Sequence, residues 1–444
     1  MKTLQKLEKN NFLQKIISLT PESITILKNI GWLFQGRMVN YVFQFGVGIY
    51  TIKQLGPENY GAFTYCYAIT SFFSTVVGFG LRENVIRELV KEPDQKNKIL
   101  GTSITLMFIT GALSYLLSII LVYILRPNDI QSLKLVAVLS ISLLLIPTNA
   151  FTFFYDANLQ AKKTVISQNA GVAFTSLSKV LVVINKKSLY WYSIATILEN
   201  VVNACGLLYI TIKDKIYKGL YFDKKYGTEL LKISWPLAAS NLAVWLYMRV
   251  DQVMIRDLSS DYQTGIYATA MRFIDAIYFI PMIIQSSFLP KIINSKKINS
   301  EKFEDSLFKL NKILVIMSYI IIIGFVLTIK PFIIFFLGDK FIESANVSII
   351  LVFTLLFVSI GVARNAYIYT LNLNKYQLKI TLTSSILNII LNFILIPLYG
   401  AIGAVISILI TQIYSTLISS FIYKPLRQSG VIALKAIILK KKLY

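Results

Sequence analysis

The 444 residues are 55% hydrophobic with a mean hydropathy of +0.62 and only 15% charged, against roughly 45–50% apolar residues in soluble domains, which excludes an ordinary soluble protein. Histidine is absent, so the commonest general base, proton switch and metal ligand is missing and most familiar catalytic constellations are excluded with it; no enzyme and no cofactor is expected. The formal net charge of +23 suggests nucleic acid only if basic residues gather on a water-facing surface; here they lie between apolar runs, and no nucleic-acid partner is expected.

In chain order, residues 1–30 open with lysines and glutamates and a spread, half-apolar pattern (Leu4, Leu7, Phe12, Ile16, Ile17). No short apolar core with a small-residue cleavage site follows, so an interfacial amphipathic helix on the cytoplasmic side is expected. Twelve runs long enough to cross a hydrocarbon core about 30 Å thick follow: 31–52, 61–81, 100–125, 133–155, 167–184, 189–212, 230–255, 264–288, 310–329, 347–370, 380–397 and 402–423. The fifth carries Lys179 and several hydroxyls and is the least apolar. The run 332–337 is too short to cross and reads as interfacial. Cys66 and Cys205 lie inside apolar runs, where a free thiol behaves as a small hydrophobe; neither a disulfide framework nor a metal site is expected.

Loop charges orient this map. Lys and Arg total 30 in the two tails and the even-numbered connections, seven in the odd-numbered connections and eight within spans. Short cytoplasmic segments hold the excess, so both termini are expected in the cytoplasm and the odd-numbered connections outside. The same asymmetry accounts for the net charge, with lipid headgroups the only anionic partner it requires.

An internal repeat is visible. The segment 32–63 lies over 235–267, with Ile52-Lys53-Gln54-Leu55 matching Ile255-Arg256-Asp257-Leu258 and Gly61-Ala62-Phe63 matching Gly265-Ile266-Tyr267. Asn158-Leu159 before the fifth span answers Asn372-Leu373 before the eleventh. Apolar stretches align by composition alone, but the paired loop motifs at matching positions favour duplication into parallel repeats. The expected organisation is an N-lobe at 31–212, a basic cytoplasmic linker at 213–229, a C-lobe at 230–423 and a basic cytoplasmic tail at 424–444.

The same residues carry a family resemblance. Leu55-Gly56-Pro57-Glu58-Asn59-Tyr60-Gly61, Gly265 through Phe273, Leu289-Pro290-Lys291, Asn388 through Asn392 and Ile396 through Ala404 resemble the polysaccharide-export branch of the multidrug/oligosaccharidyl-lipid/polysaccharide flippases, over essentially the whole chain and in order. The resemblance implies an all-α polytopic membrane protein with about 12 transmembrane helices, in two six-helix lobes related by a pseudo-two-fold around a central cavity. It further implies a Wzx-type flippase that moves an undecaprenyl-diphosphate-linked oligosaccharide, an O-antigen (lipopolysaccharide) or capsule precursor, across the bacterial inner membrane by alternating access. Polymerase and chain-length proteins of the same assembly pathway are the protein partners it suggests.

Charges inside spans are the informative residues, because each costs several kcal/mol on most estimates unless paired or facing a wet cavity. They are Arg37, Glu199, Arg249, Asp251, Arg272, Asp275 and Arg364, with Lys179, Lys134, Lys232 and Lys312 less telling. Arginine suits a diphosphate because its planar fork donates paired hydrogen bonds, so Arg37, Arg249, Arg272 and Arg364 are the candidate substrate-binding cations; the competing reading is interhelical ion pairs or snorkelling. Arg272 and Asp275, three apart on one face, can be neighbours; Arg249 and Asp251 point different ways. Glu199, Asp251 and Asp275 are the candidate ion-coupling residues, and Glu199 has no basic residue within one helical turn. Tyr65, Tyr67, Tyr247 and Tyr278 lie within spans and can stack on sugar rings, while most other aromatics belong to lipid faces and interfacial belts. Gly56-Pro57 and Gly61 bracket a tight turn, and Pro147, Pro236 and Pro281 are sites for kinks.

Two other functions compete. A cation-coupled multidrug antiporter of the same superfamily predicts acidic residues dominating the spans, where basic ones outnumber them. A membrane glycosyltransferase, ligase or polymerase needs a sizeable outer loop with catalytic groups, and the longest outer connection, 330–346, is short.

Overall fold

All twelve expected spans are helical in the computed structural model, which describes residues 21–216 and 219–439; among the described residues there is no strand. Hydrocarbon offers no partner to a backbone N–H or C=O, and a helix satisfies every such group within one segment. Spans one and two form a single run, α1 (Pro21–Gly78), broken at Gly56 with φ 75° and ψ 168°, a conformation that glycine adopts without a Cβ clash. Pro57 then opens the second half, where its missing N–H is not needed. The amphipathic α2 (Leu81–Lys91) and α3 (Lys96–Leu125) follow. Span four is three pieces, α4 (Ile130–Leu139), α5 (Ile141–Leu145) and α6 (Asn149–Ala157), with a 3₁₀ turn at Ile146–Thr148 around Pro147. Then come α7 (Ala161–Ile184), α8 (Leu189–Lys213), α9 (Lys224–Leu258), α10 (Asp261–Ile298) and α11 (Ser300–Leu337).

Span ten divides into α12 (Ile342–Leu351) and α13 (Thr354–Thr370) with a 43° bend. α14 (Asn374–Ile413) carries span eleven and the start of span twelve across a break at Gly400, then passes through a π-helical stretch at Tyr414–Ile418 into α15 (Ser419–Ile422) and α16 (Arg427–Ile437). Among the described residues seven helices, or eight with the bent pair, are long and apolar enough to cross a membrane. α1 and α14 each hold two expected spans, and the less apolar α7 and α9 complete the twelve.

One expectation is modified, and others fall partly outside the described residues. Residues 332–337 are the end of α11, which runs through Pro331 without a break. Residues 1–20 of the expected amphipathic segment lie outside the described residues, and 21–30 are continuous with α1. Residues 217–218 of the linker and 440–444 of the tail also lie outside them.

The chain gathers into two compact units: residues up to 48, 76–121 and 137–238 in one, and 49–75, 122–136 and the rest from 239 in the other. The division does not follow the linker at 213–229, because the ends of the first four spans at odd-numbered connections belong to the second unit. Inside that unit the repeat has a physical trace. A Cβ at Gly61 would overlap the carbonyl oxygen of Asp261, and a Cβ at Gly265 would overlap that of Pro57; both pairs are related by the same 204-residue offset, so the contact is reciprocal. The other proposed match shifts by one residue. Leu159 (φ 53°) and Asn372 (φ 55°) are the equivalent left-handed positions, each followed by Gln160 N–H to Tyr155 C=O and Leu373 N–H to Ile368 C=O, the 6→1 closure of a Schellman end. Lys186 and Lys215 end helices in the same way, so only the glycine contact argues for the repeat. In the first unit, Gly171 lies against the Glu199 carbonyl and Gly206 against Ser167. Small residues thus let α7 and α8 approach closely, as membrane helices do.

Candidate functional site

Asp251, on α9, is fully buried. It accepts hydrogen bonds from the Tyr267 hydroxyl at 3.0 Å and from the Asn392 side-chain amide, while Asn392 also donates to Asn388 Oδ1 at 3.2 Å. Asn388 and Asn392, one turn apart on α14, therefore present two amides to one carboxylate. Met254 Sγ lies 3.8 Å from the same Asn392 nitrogen, and Asn392 Oδ1 is buried without a partner. Among the described residues its hydrogen-bond donors are neutral, and the cation acting on it is Arg249, two residues back on the same helix, which is itself paired with Asp275.

Arg364, on α13, is 3% exposed. Its Nη1 donates to the Ser415 carbonyl and to Ser419 Oγ at 3.1 Å. Ser415 lies in the π-helical stretch, where the widened turn leaves carbonyls to side chains, a feature frequent at functional sites. Arg364 Nε is buried without a hydrogen-bond partner, and among the described residues no carboxylate lies within ion-pair distance. The buried Tyr247 hydroxyl lies close to Arg364 and Ser415.

The remaining candidates separate. Arg249 pairs with Asp275 at 3.2 Å, both about one-third exposed, so Asp275 takes its partner from α9 rather than from Arg272, three residues back on its own helix. Arg272 Nη1 donates to Tyr60 Oη at 3.5 Å. Tyr278 Oη bonds Thr354 Oγ1, and Tyr67 is exposed, stacked on Phe63 with centroids 5.9 Å apart. Tyr65 is fully buried between guanidiniums rather than on an open surface, 4.4 Å from Arg256 and 5.5 Å from Arg126. Arg37 and Glu199 belong to the first unit, Arg37 exposed on α1. Glu199 is not isolated: Lys179, on α7, acts on it electrostatically, an influence between helices that spacing along one helix does not reveal. The sequence reading missed Tyr267, Ser415 and Ser419 as partners of buried charge, and noted Asn388 and Asn392 only as a family motif. Their signal was polar residues one turn apart in an otherwise apolar span.

Apolar helices along the described residues, with buried and half-buried charges inside them, define a polytopic membrane protein. Its fold is shared with solved membrane proteins. The structure matches lipid II flippase MurJ in an inward closed conformation with a TM-score of 0.71, 18% identity and 91% of each chain covered. It matches an inward-facing multidrug resistance MATE family transporter of the MOP superfamily with a TM-score of 0.69, 15% identity, 93% of this chain and 97% of that one. The chain belongs to the polysaccharide biosynthesis protein family, whose model matches residues 26–292. The capsular polysaccharide biosynthesis protein CapF of Staphylococcus aureus is 23% identical over 424 residues, 90% of this chain and 99% of that protein. An uncharacterized membrane protein of Methanocaldococcus jannaschii is 26% identical over 199 residues, 44% of this chain and 46% of that protein. The resemblance read from the loop motifs and the all-α polytopic fold are both borne out.

Proposed function

We propose that the protein flips an undecaprenyl-diphosphate-linked oligosaccharide, the repeat unit of a capsule or O-antigen, from the cytoplasmic to the outer leaflet of the bacterial inner membrane by alternating access. Membership of a polysaccharide biosynthesis family supports the saccharide, and the fold shared with a lipid II flippase supports a lipid-linked cargo. The observation that carries the reading is Arg364: a guanidinium with only neutral partners and an unused Nε, deep in a membrane protein. Such a site is costly unless an anion visits it, and a diphosphate matches its fork. Arg37 and Arg272 are the further cations assigned to the diphosphate. Arg249 already has a carboxylate partner and joins them only when that pair opens. Tyr67, Tyr247 and Tyr278 are assigned to the sugars, and Asp251 is the foremost ion-coupling residue. The excess of basic over acidic residues inside the spans also speaks against the multidrug antiporter.

The test measures lipid-linked saccharide by leaflet. Depletion of the protein should accumulate it in the cytoplasmic leaflet. Arg→Ala at positions 37, 272 and 364 should impair flipping more than Arg→Lys, which keeps the charge and loses bidentate donation. Normal leaflet distribution on depletion, or full flipping by all three alanine variants, removes the proposal.

A further inference from the structure

Odd-numbered connections converge on one side chain of the second unit. Arg256, in the last turn of α9, is 3% exposed. Its Nη1 donates to Ser132 Oγ at 2.6 Å, and its Nη2 donates to Asp129 Oδ2 at 3.0 Å and to Asp261 Oδ2 at 3.3 Å. Arg126 donates from Nε to Asp257 Oδ1 at 2.8 Å and from Nη2 to the Arg256 carbonyl. Both guanidiniums lie over the Tyr65 ring. One residue from the turn after span seven thereby ties the turn after span three and the start of α10, on an aromatic ring from span two. Gln263, in the first turn of α10, extends the junction: it donates to Glu343 at 3.3 Å and accepts from the Ala401 amide at 2.9 Å.

The chemistry of this junction differs from that of a permanent wall. Three carboxylates, Asp129, Asp257 and Asp261, meet two guanidiniums, and water can take over each of these bonds once the groups separate. Burying such a network offers little net stability against apolar packing, while leaving one member unpaired is costly. Closure is therefore steep but reversible. Burial pushes the Asp129 carboxyl up, but the Ser132 hydroxyl and amide, with the two guanidiniums, outweigh it and hold the carboxyl below its ordinary range.

We propose that Arg256 is the keystone of a releasable closure on the odd-numbered side, and that this side opens only when Arg256 leaves Asp129, Ser132 and Asp261. As a step in cargo release the inference rests on the flippase reading; as a closure it does not.

Cys66 provides a reporter. It is fully buried, its thiol donating to the Ser132 carbonyl at 3.8 Å and lying 4.0 Å from Arg256 Nη1. The sequence has two cysteines, so Cys205→Ser leaves Cys66 alone. In purified protein of that background, a water-soluble maleimide should label Cys66 slowly. Asp129→Asn and Arg256→Gln should each accelerate labelling about tenfold or more, the scale of one lost hydrogen bond to a charged group. Asp305→Asn, which breaks the Asp305–Lys309 ion pair on α11 of the same unit, should leave the rate unchanged. Unchanged Cys66 labelling in folded, monodisperse Asp129→Asn and Arg256→Gln overturns the closure. Failure of both variants to remain folded also overturns it, because the network is then a static brace. Labelling needs no cargo, so a wild type that accelerates as expected in these variants but moves no lipid-linked saccharide retains the closure and loses the flippase reading.

Discussion

Asp251 and Glu199 are both carboxylates inside spans, and their surroundings assign them different tests. Asp251→Asn keeps the shape and one acceptor oxygen, so Tyr267 retains a partner; a coupling role requires that the variant fold normally and lose the dependence of transport on the imposed ion gradient. Asp251→Leu leaves the Tyr267 hydroxyl and one N–H of the Asn392 amide, which also donates to Asn388, without an acceptor. It should cost about 1–3 kcal/mol per orphaned group, read as a lowered Tm in detergent. A wild-type Tm in Asp251→Leu contradicts the buried network. Lys179, on α7, acts on Glu199 electrostatically, and this attraction favours the charged form while burial opposes it. Glu199→Gln separates the two roles: a retained response of transport to a pH gradient with lowered stability marks a structural carboxyl, and loss of that response with unchanged stability makes Glu199 the proton carrier.

At the scale of elements, the reciprocal glycine contact sets how closely α1 and α10 approach. Alanine at Gly61 or Gly265 puts a methyl where a carbonyl oxygen lies, and overpacking of this kind costs about 1–3 kcal/mol. Each variant should lower Tm, and the double variant should lose less than the sum, since the first substitution already separates the shared contact. Gly324, in α11 with nothing within 4 Å of an added Cβ, is the control: Gly324→Ala should hold or raise Tm through helix propensity. Equal Tm values for Gly61→Ala and Gly324→Ala would refute the close approach. The pattern of helix breaks was partly legible beforehand. Gly56-Pro57 and Pro147 interrupt helices as their chemistry dictates, yet Pro236, Pro281 and Pro331 lie within continuous ones. A proline removes one donor and bends a helix, but whether the helix ends there depends on neighbours that hold the freed carbonyl.

For the whole molecule, the 30-to-seven division of loop charges predicts which side each connection faces. In a protein with Cys66 and Cys205 replaced by serine, a membrane-impermeant thiol reagent added outside whole cells should reach a cysteine at Ser259 and not one at Ser300. Both positions are exposed, so accessibility alone does not bias the result. Labelling of both, or of Ser300 alone, contradicts the orientation. The same orientation puts the Arg256 junction on the outer side and α2 on the inner one.

The sequence by itself determined the class, the helical nature of all twelve spans and the family, because apolar length, loop chemistry and the need to satisfy every backbone group in hydrocarbon are properties of short stretches. It also determined which ionisable residues are worth attention, since a charge within an apolar run is visible without a fold. Only the tertiary structure decided their partners. Asp275 pairs with Arg249 on another helix although Arg272 is nearer in sequence, Glu199 feels the charge of Lys179 on the preceding helix, and Arg364 draws on a carbonyl in a local π turn. Arg126 and Arg256 read as ordinary loop charges, and burial made them the centre of a network. Pairing depends on which helix faces are brought within about 3 Å, and that distance is set by packing between segments far apart in the chain, 141 residues for Asp251 and Asn392 and 212 for Tyr60 and Arg272.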